Sequence, residues 1–505
     1  MADVANVTRS LSEFAVAIRA NDLPADILHE TKRLTLDAIG NAIGGIQTEN
    51  GNTVQRFIEK SAAGGPVFVI GTEFSTSATA ASYANGRLAD IIDASDTFMS
   101  VHHLGAPVVM AALALGAEAN VSGTEFLGAV AAGVEIGARI GSAVGALRRA
   151  SSDPEMPRNF SATRMPVEEI ATAVAAAKIS GADVKKLCNA IGIAAANAPR
   201  HATHWGVADP LPDQKYQDYG ITAQTGVTAA LLAEAGVQSH PDTLGGPPGL
   251  WRLCGIPAFD FDLLLRGLGT EWFLKHTAYK PWPNCKWTQY PLTAFDQIQS
   301  ENRILAREID RIVVHSHVFG TADYFRNRHP RTMISCAFNF PHALAMQALG
   351  VPPGPWWYSR WALEDPKVIA LRERVHVRSE PYTEIKESMM EDGQLRELPT
   401  RVAVYARGGE FSAETSFAKG DPFSKETKFS DDQLFQKFLY MGSVKGSGDK
   451  DWLARAKRIR TVVFDLDNLP NVRHLTDLLS RSALELSGFP AAPGDTCGAS
   501  FQVRM

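Results

Sequence analysis

Cysteine is scarce. Five in 505 residues (Cys188, Cys254, Cys285, Cys336 and Cys497) form no C-x-x-C pair and have no histidine at ligand spacing. That excludes a disulfide framework and leaves no zinc or iron–sulfur signature. A basic surplus is missing too: 50 Lys+Arg against 55 Asp+Glu give a net charge of -5 and a pI near 6.2. No face for nucleic acid or an anionic membrane is therefore expected. The most apolar run, 104–117, is too short to cross a bilayer and is broken by glycine and proline. The first ten residues carry an acid and lack the apolar core of a signal peptide, so a reducing cytoplasm is expected. The glycine-rich pieces 245–249 and 442–448 match neither G-x-G-x-x-G nor G-x-x-x-x-G-K-[ST]. Neither a nucleotide cofactor nor a metal is expected.

What is present is an ordinary globular composition, 45% hydrophobic and 21% charged. The length exceeds what one core usually supports, so two domains are expected. The first half reads as Ala/Gly-rich helices: 24–43 closing at Gly44-Gly45, a helix behind the capping box Ser122-Gly-Thr-Glu125 reaching Ile140, one from Glu168 to Lys178, and one from Asp183 to Ala196. Small residues such as 171–177 predict close backbone approach. Near residue 270 the pattern changes. Segments 309–318, 375–379 and 401–406 alternate like strands, and 411–417 can pair with the last across Gly408-Gly409. Helical patterns at 291–301 and 335–349 lie between them, and 430–439 and 471–487 return to helix. The fold class is therefore mostly α with an α+β insert. A discontinuous helical domain (1–270 and 426–505) carries an α+β lid (271–425).

Asp93, Asp96, His102 and His103 crowd into eleven residues between an expected Asn85-Gly86 turn and the apolar run beginning at Ala106. Polar groups beside a buried segment must find partners or lose charge, which makes this the leading proton-transfer candidate. The plainer reading is that Asp93 or Asp96 caps the helix starting near Gly105 and that His102 is a hydrogen-bonded structural histidine.

The segment 85–97, then His103, then the helix to Glu118, resembles the signature of the MmgE/PrpD family. That family includes 2-methylcitrate dehydratase, cis-aconitate decarboxylase and iminodisuccinate epimerase. Matching pieces follow in order: 133–139, 177–181, Lys215 with Gly220 and Gly226, Lys280-Pro-Trp-Pro-Asn-Cys285, and Lys419-Gly-Asp-Pro422. The resemblance implies a helical domain with an inserted α+β lid, a homodimer, and a metal-free site in the cleft between the two domains. It also implies Asp93, His103 and Lys215 as catalytic residues acting on a small carboxylate. Asp96, His102, Arg164, His204, Lys280 and Cys285 complete the set expected to touch substrate. Composition alone would leave Lys215 on the surface.

Two departures from the family pattern stand out. The stretch 160–165 holds Arg164 where the decarboxylase branch has a histidine, and Cys285 replaces a lid histidine. Both point away from decarboxylation. They favour a dehydratase acting on a hydroxy-polycarboxylate, with an epimerase, which needs the same first proton abstraction, as runner-up. A catalytically silent scaffold would be preferred only if two of Asp93, His103 and Lys215 were apolar. The segment 199–210, with His204 and Trp205, is open to either a site or a surface-loop role.

Overall fold

The computed structural model describes residues 6–61, 64–100, 102–145, 165–198, 211, 213, 218–245, 249–256, 258–317, 320, 322–380, 383, 385–443 and 450–485. Six helices form the body: Ala78–Asp90, Gly105–Ala119, Gly123–Val144, Val167–Ile179, Val184–Asn197 and Tyr219–Glu234, with Ala25–Ile46 laid across them. Their starts follow local chemistry. Ser122 and Glu125 close a reciprocal capping box, and the Asp183 side chain accepts from Lys186 N–H. Small residues do set the spacing between helices: a Cβ added at Gly133 would lie 2.6 Å from the Ala171 carbonyl oxygen.

Several expected boundaries shift. Gly44 and Gly45 lie inside Ala25–Ile46 and do not end it. Asn85-Gly86 is no turn but the middle of Ala78–Asp90. There Asn85 holds Ile70 N–H at 2.9 Å, and Gly86 lets Tyr219–Glu234 cross, since a Cβ would meet the Tyr219 oxygen at 2.7 Å. Both residues carry turn propensity, and packing overrides it.

The second part is α+β. Its four-stranded sheet runs Gly409–Thr415, Thr400–Ala406, Ile309–Ser316, Val375–Ser379, antiparallel except for the last pair. The hairpin turns at Arg407 and Gly408, both at positive φ (52° and 73°), one residue earlier than expected. Lys286–Asn302 packs on the sheet and carries Pro291 internally. The expected 335–349 helix divides into Met333–Ala337 and Phe340–Ala348, because Asn339 caps a new start through His342 N–H.

Chain then returns to the body. Asp431–Gly442 and the unanticipated Lys450–Phe464 both pack on Ala25–Ile46. The expected 471–487 helix is three short turns between Arg473 and Leu484. Among the described residues one helix, Gly123–Val144, is long and apolar enough to cross a membrane, and it is wholly buried as a core helix.

Candidate active site

Segment 90–104 carries the titratable cluster through the interior with little regular structure, so each polar group needs a specific partner. Asp96 finds its partners at the start of Gly105–Ala119. Its carboxylate accepts from the N–H groups of Leu104 (3.1 Å), Gly105 (3.0 Å) and Ala106 (3.2 Å). That is a helix cap, the plainer of the two readings for this residue. Gly105 is required by the approach, since a Cβ there would sit 2.7 Å from Asp96 Oδ1. Burial pushes the Asp96 carboxyl up to about 6; the Gly105 N–H opposes the shift and the Asp37 charge adds to it.

A two-residue ladder brings the second stretch alongside. Thr97 and Phe98 pair antiparallel with Ala278 and Thr277, which places Lys280 two residues beyond the ladder. Its ammonium donates to Asp93 Oδ1 at 3.0 Å, with both side chains almost wholly buried. Asp93 adopts the left-handed conformation at φ 49°, a region aspartate tolerates better than most residues. Such a buried pair persists only when each charge keeps its partner.

His103 is fixed by backbone. Its Nδ1 lies 2.5 Å from the Asp96 carbonyl oxygen and 3.3 Å from Thr97 Oγ1. A carbonyl can only accept, so Nδ1 carries a hydrogen, and in the neutral form of the ring the lone pair lies on Nε2. The Tyr219 ring stands edge-on at 5.8 Å. His102 instead meets Glu168 Oε1 at 2.8 Å, both fully buried, and ties the segment to Val167–Ile179. Cys285 is buried at the start of Lys286–Asn302, its N–H donating to the Ala337 carbonyl at 2.8 Å. Lys215, Arg164 and His204 lie outside the described residues.

Sequence reasoning missed several members of this layer. Lys437, from the returning helix, donates to Asp37 Oδ1 at 2.5 Å and to the Ala94 carbonyl at 2.6 Å. Burial lowers its amine below the usual lysine range, with the Asp37 charge pulling the other way. The Tyr358 hydroxyl donates to the Ile92 carbonyl at 3.1 Å and meets the Pro283 carbonyl as well. Lys286 binds Asp421, which stands inside the 419–422 motif. Among the described residues no group of three His, Cys, Asp or Glu side chains is arranged to hold a metal.

This order of parts is matched along the chain: the MmgE/PrpD N-terminal domain corresponds to residues 9–261 and the MmgE/PrpD C-terminal domain to 282–454. The chain belongs to the MmgE/PrpD family. Its mostly helical fold with an α+β C-terminal domain is that of the family, and Lys280 falls in the short link between the two domains. The chain is also similar to the cis-aconitate decarboxylase-like protein oryM of Aspergillus oryzae, 27% identical over 241 residues. That match covers 46% of this chain and 47% of the relative, so the chain spans about half the length of the curated protein it matches.

Proposed function

We propose that this MmgE/PrpD protein is a hydro-lyase of the 2-methylcitrate dehydratase type, acting on a small hydroxy-polycarboxylate. The observation that carries the reading is the contact of His103 Nδ1 with the Asp96 carbonyl, which leaves Nε2 as the nitrogen that can take a proton, on the same buried segment as Asp93 with its Lys280 partner. Nε2 takes the proton from the carbon beside a carboxylate. The electron pair left behind forms the C=C bond as the C–O bond breaks, and the hydroxide leaves as water after gaining a proton. Lys280, held against Asp93 on the same buried layer, is suited to the carboxylate oxygens on which charge develops. By family resemblance Lys215 is the second proton-handling group. Homodimer formation and a cytoplasmic location belong to the same proposal.

The oryM similarity supports a second reading, loss of CO2 in place of water. Both are tested by incubating the protein in deuterated water with citrate-like, tartrate-like and aminodicarboxylate candidates and following proton spectra and CO2. Water loss marks a dehydratase; exchange with an intact skeleton marks an epimerase, and CO2 release marks a decarboxylase. Silence across the panel contradicts the proposal.

A further inference from the structure

Asp93 is gripped on both sides. The carbonyl before it, on Ile92, accepts from Tyr358, and the carbonyl after it, on Ala94, accepts from Lys437. These donors lie 266 and 343 residues away from the carbonyls they bind, one in the turn Pro355–Tyr358 and one in the returning helix Asp431–Gly442. Between them sits Asp93, the one non-glycine residue at positive φ among the described residues of the 90–104 segment, a conformation that persists where surrounding structure over-determines it. From within the loop, Asp93 N–H adds a bond to the Asp90 carbonyl at 3.0 Å, and Ser95 Oγ one to Asp90 Oδ1 at 2.8 Å.

Tyr358 does more than hold one carbonyl. Its hydroxyl also meets the carbonyl of Pro283, three residues after Lys280, so one phenol touches the backbone beside both halves of the Asp93–Lys280 pair. Burial, with the Asp93 charge next, raises its pKa well above the usual phenol, which keeps the hydrogen in place for donation. The turn that carries it is itself rigid: Trp357 is fully buried, its carbonyl meets His342 Nε2 at 2.7 Å and its indole N–H donates to the Val351 carbonyl at 3.2 Å.

We infer that Tyr358 and Lys437 are positioning residues: together they clamp the Asp93 turn in its left-handed geometry, and Tyr358 sets the register of Lys280 against it. The inference rests on reading Asp93 and Lys280 as part of the reacting site, and its test separates the two.

In the full-length protein, Tyr358→Phe removes one oxygen and nothing else. Lysine acetylation by acetic anhydride, read peptide by peptide in a mass spectrometer, reports how often Lys280 leaves Asp93, with Lys286 as internal reference. A lost buried donor corresponds to an increase in Lys280 labelling of about tenfold relative to Lys286. The double variant Asp37→Asn/Lys437→Met removes the other jaw without stranding a charge and is expected to do the same. Lys280 labelling at the wild-type rate in both folded variants overturns the clamp. With whichever substrate shows exchange, the clamp lowers kcat in Tyr358→Phe and leaves KM within about twofold; a change in KM alone contradicts it. Selective Lys280 labelling in variants of a protein whose wild type is silent across the substrate panel upholds the clamp and removes the functional reading.

Discussion

Two buried polar clusters, one at the junction of the domains and one inside the α+β part, satisfy their polar groups in different ways. In the interior cluster, Arg372 donates to the Leu363 and Ala362 carbonyls and to His342 Nδ1, and His342 hands its other nitrogen's hydrogen to Trp357. Burial drives His342 down to about 3 and the neighbouring Cys336 thiol up to about 12, so neither titrates in the physiological range. At the junction, charge meets charge from separate stretches (Asp93–Lys280, Asp37–Lys437, Lys286–Asp421), and Asp96 lies at about 6. In the interior cluster burial is the main cause of both shifts; at the junction it still lowers the amines of Lys437 and Lys286, but the charges of Asp37 and Asp421 pull the other way.

The comparison breaks most visibly at Lys280. Lys280→Met removes the ammonium from the buried Asp93 carboxylate and should cost about 3–5 kcal/mol in chemical denaturation; a loss below about 1 kcal/mol would place the pair in solvent. Asp96→Ala comes next. It leaves three N–H groups at the head of Gly105–Ala119 without their acceptor and should cost about 2 kcal/mol, measured the same way, with His103 losing its register to the Asp96 carbonyl.

Acidification gives the smallest effect and the clearest sign. His276, His317 and His342 are all held near 3 by burial, below the unfolded value of about 6.5. The unfolded chain therefore binds more protons between those limits, and the stability these residues contribute is complete above about 6.5 and is lost as pH falls toward 3. Asp96, raised to about 6, works the other way between about 4 and 6. His342→Gln retains a donor for Trp357 and an acceptor for Arg372. It should shrink the acid loss between pH 7 and pH 5 by up to about 1.4 kcal/mol per pH unit; an unchanged slope in urea titrations contradicts the buried neutral imidazole.

The sequence made some of this legible for local reasons. Ser122 and Glu125 are three residues apart and cap each other, Asp183 caps within three residues, and the 400–415 hairpin pairs across an Arg407-Gly408 turn. The junction was legible only on one side. Asp93 and His103 stand in a dense polar segment, but Lys437 lies in an amphipathic helix where a lysine normally faces water, and its partners are 400 and 343 residues away. The Asp96 cap was legible as the plainer of its two readings, although the N–H groups it holds lie eight to ten residues downstream. Tyr358 stands beside two tryptophans in Pro355–Tyr358, where an aromatic side chain signals packing, and only its hydroxyl reaches the Asp93 segment.

In the proposed reaction His103 Nε2 moves the proton while the interior cluster only holds structure. Deuterium exchange into the active substrate, measured on His103→Gln and His342→Gln side by side, decides it. Exchange is expected to fall by about 10²–10⁴-fold in the first and to stay near wild type in the second; exchange at the wild-type rate in a folded His103→Gln protein contradicts a proton-transfer role for His103.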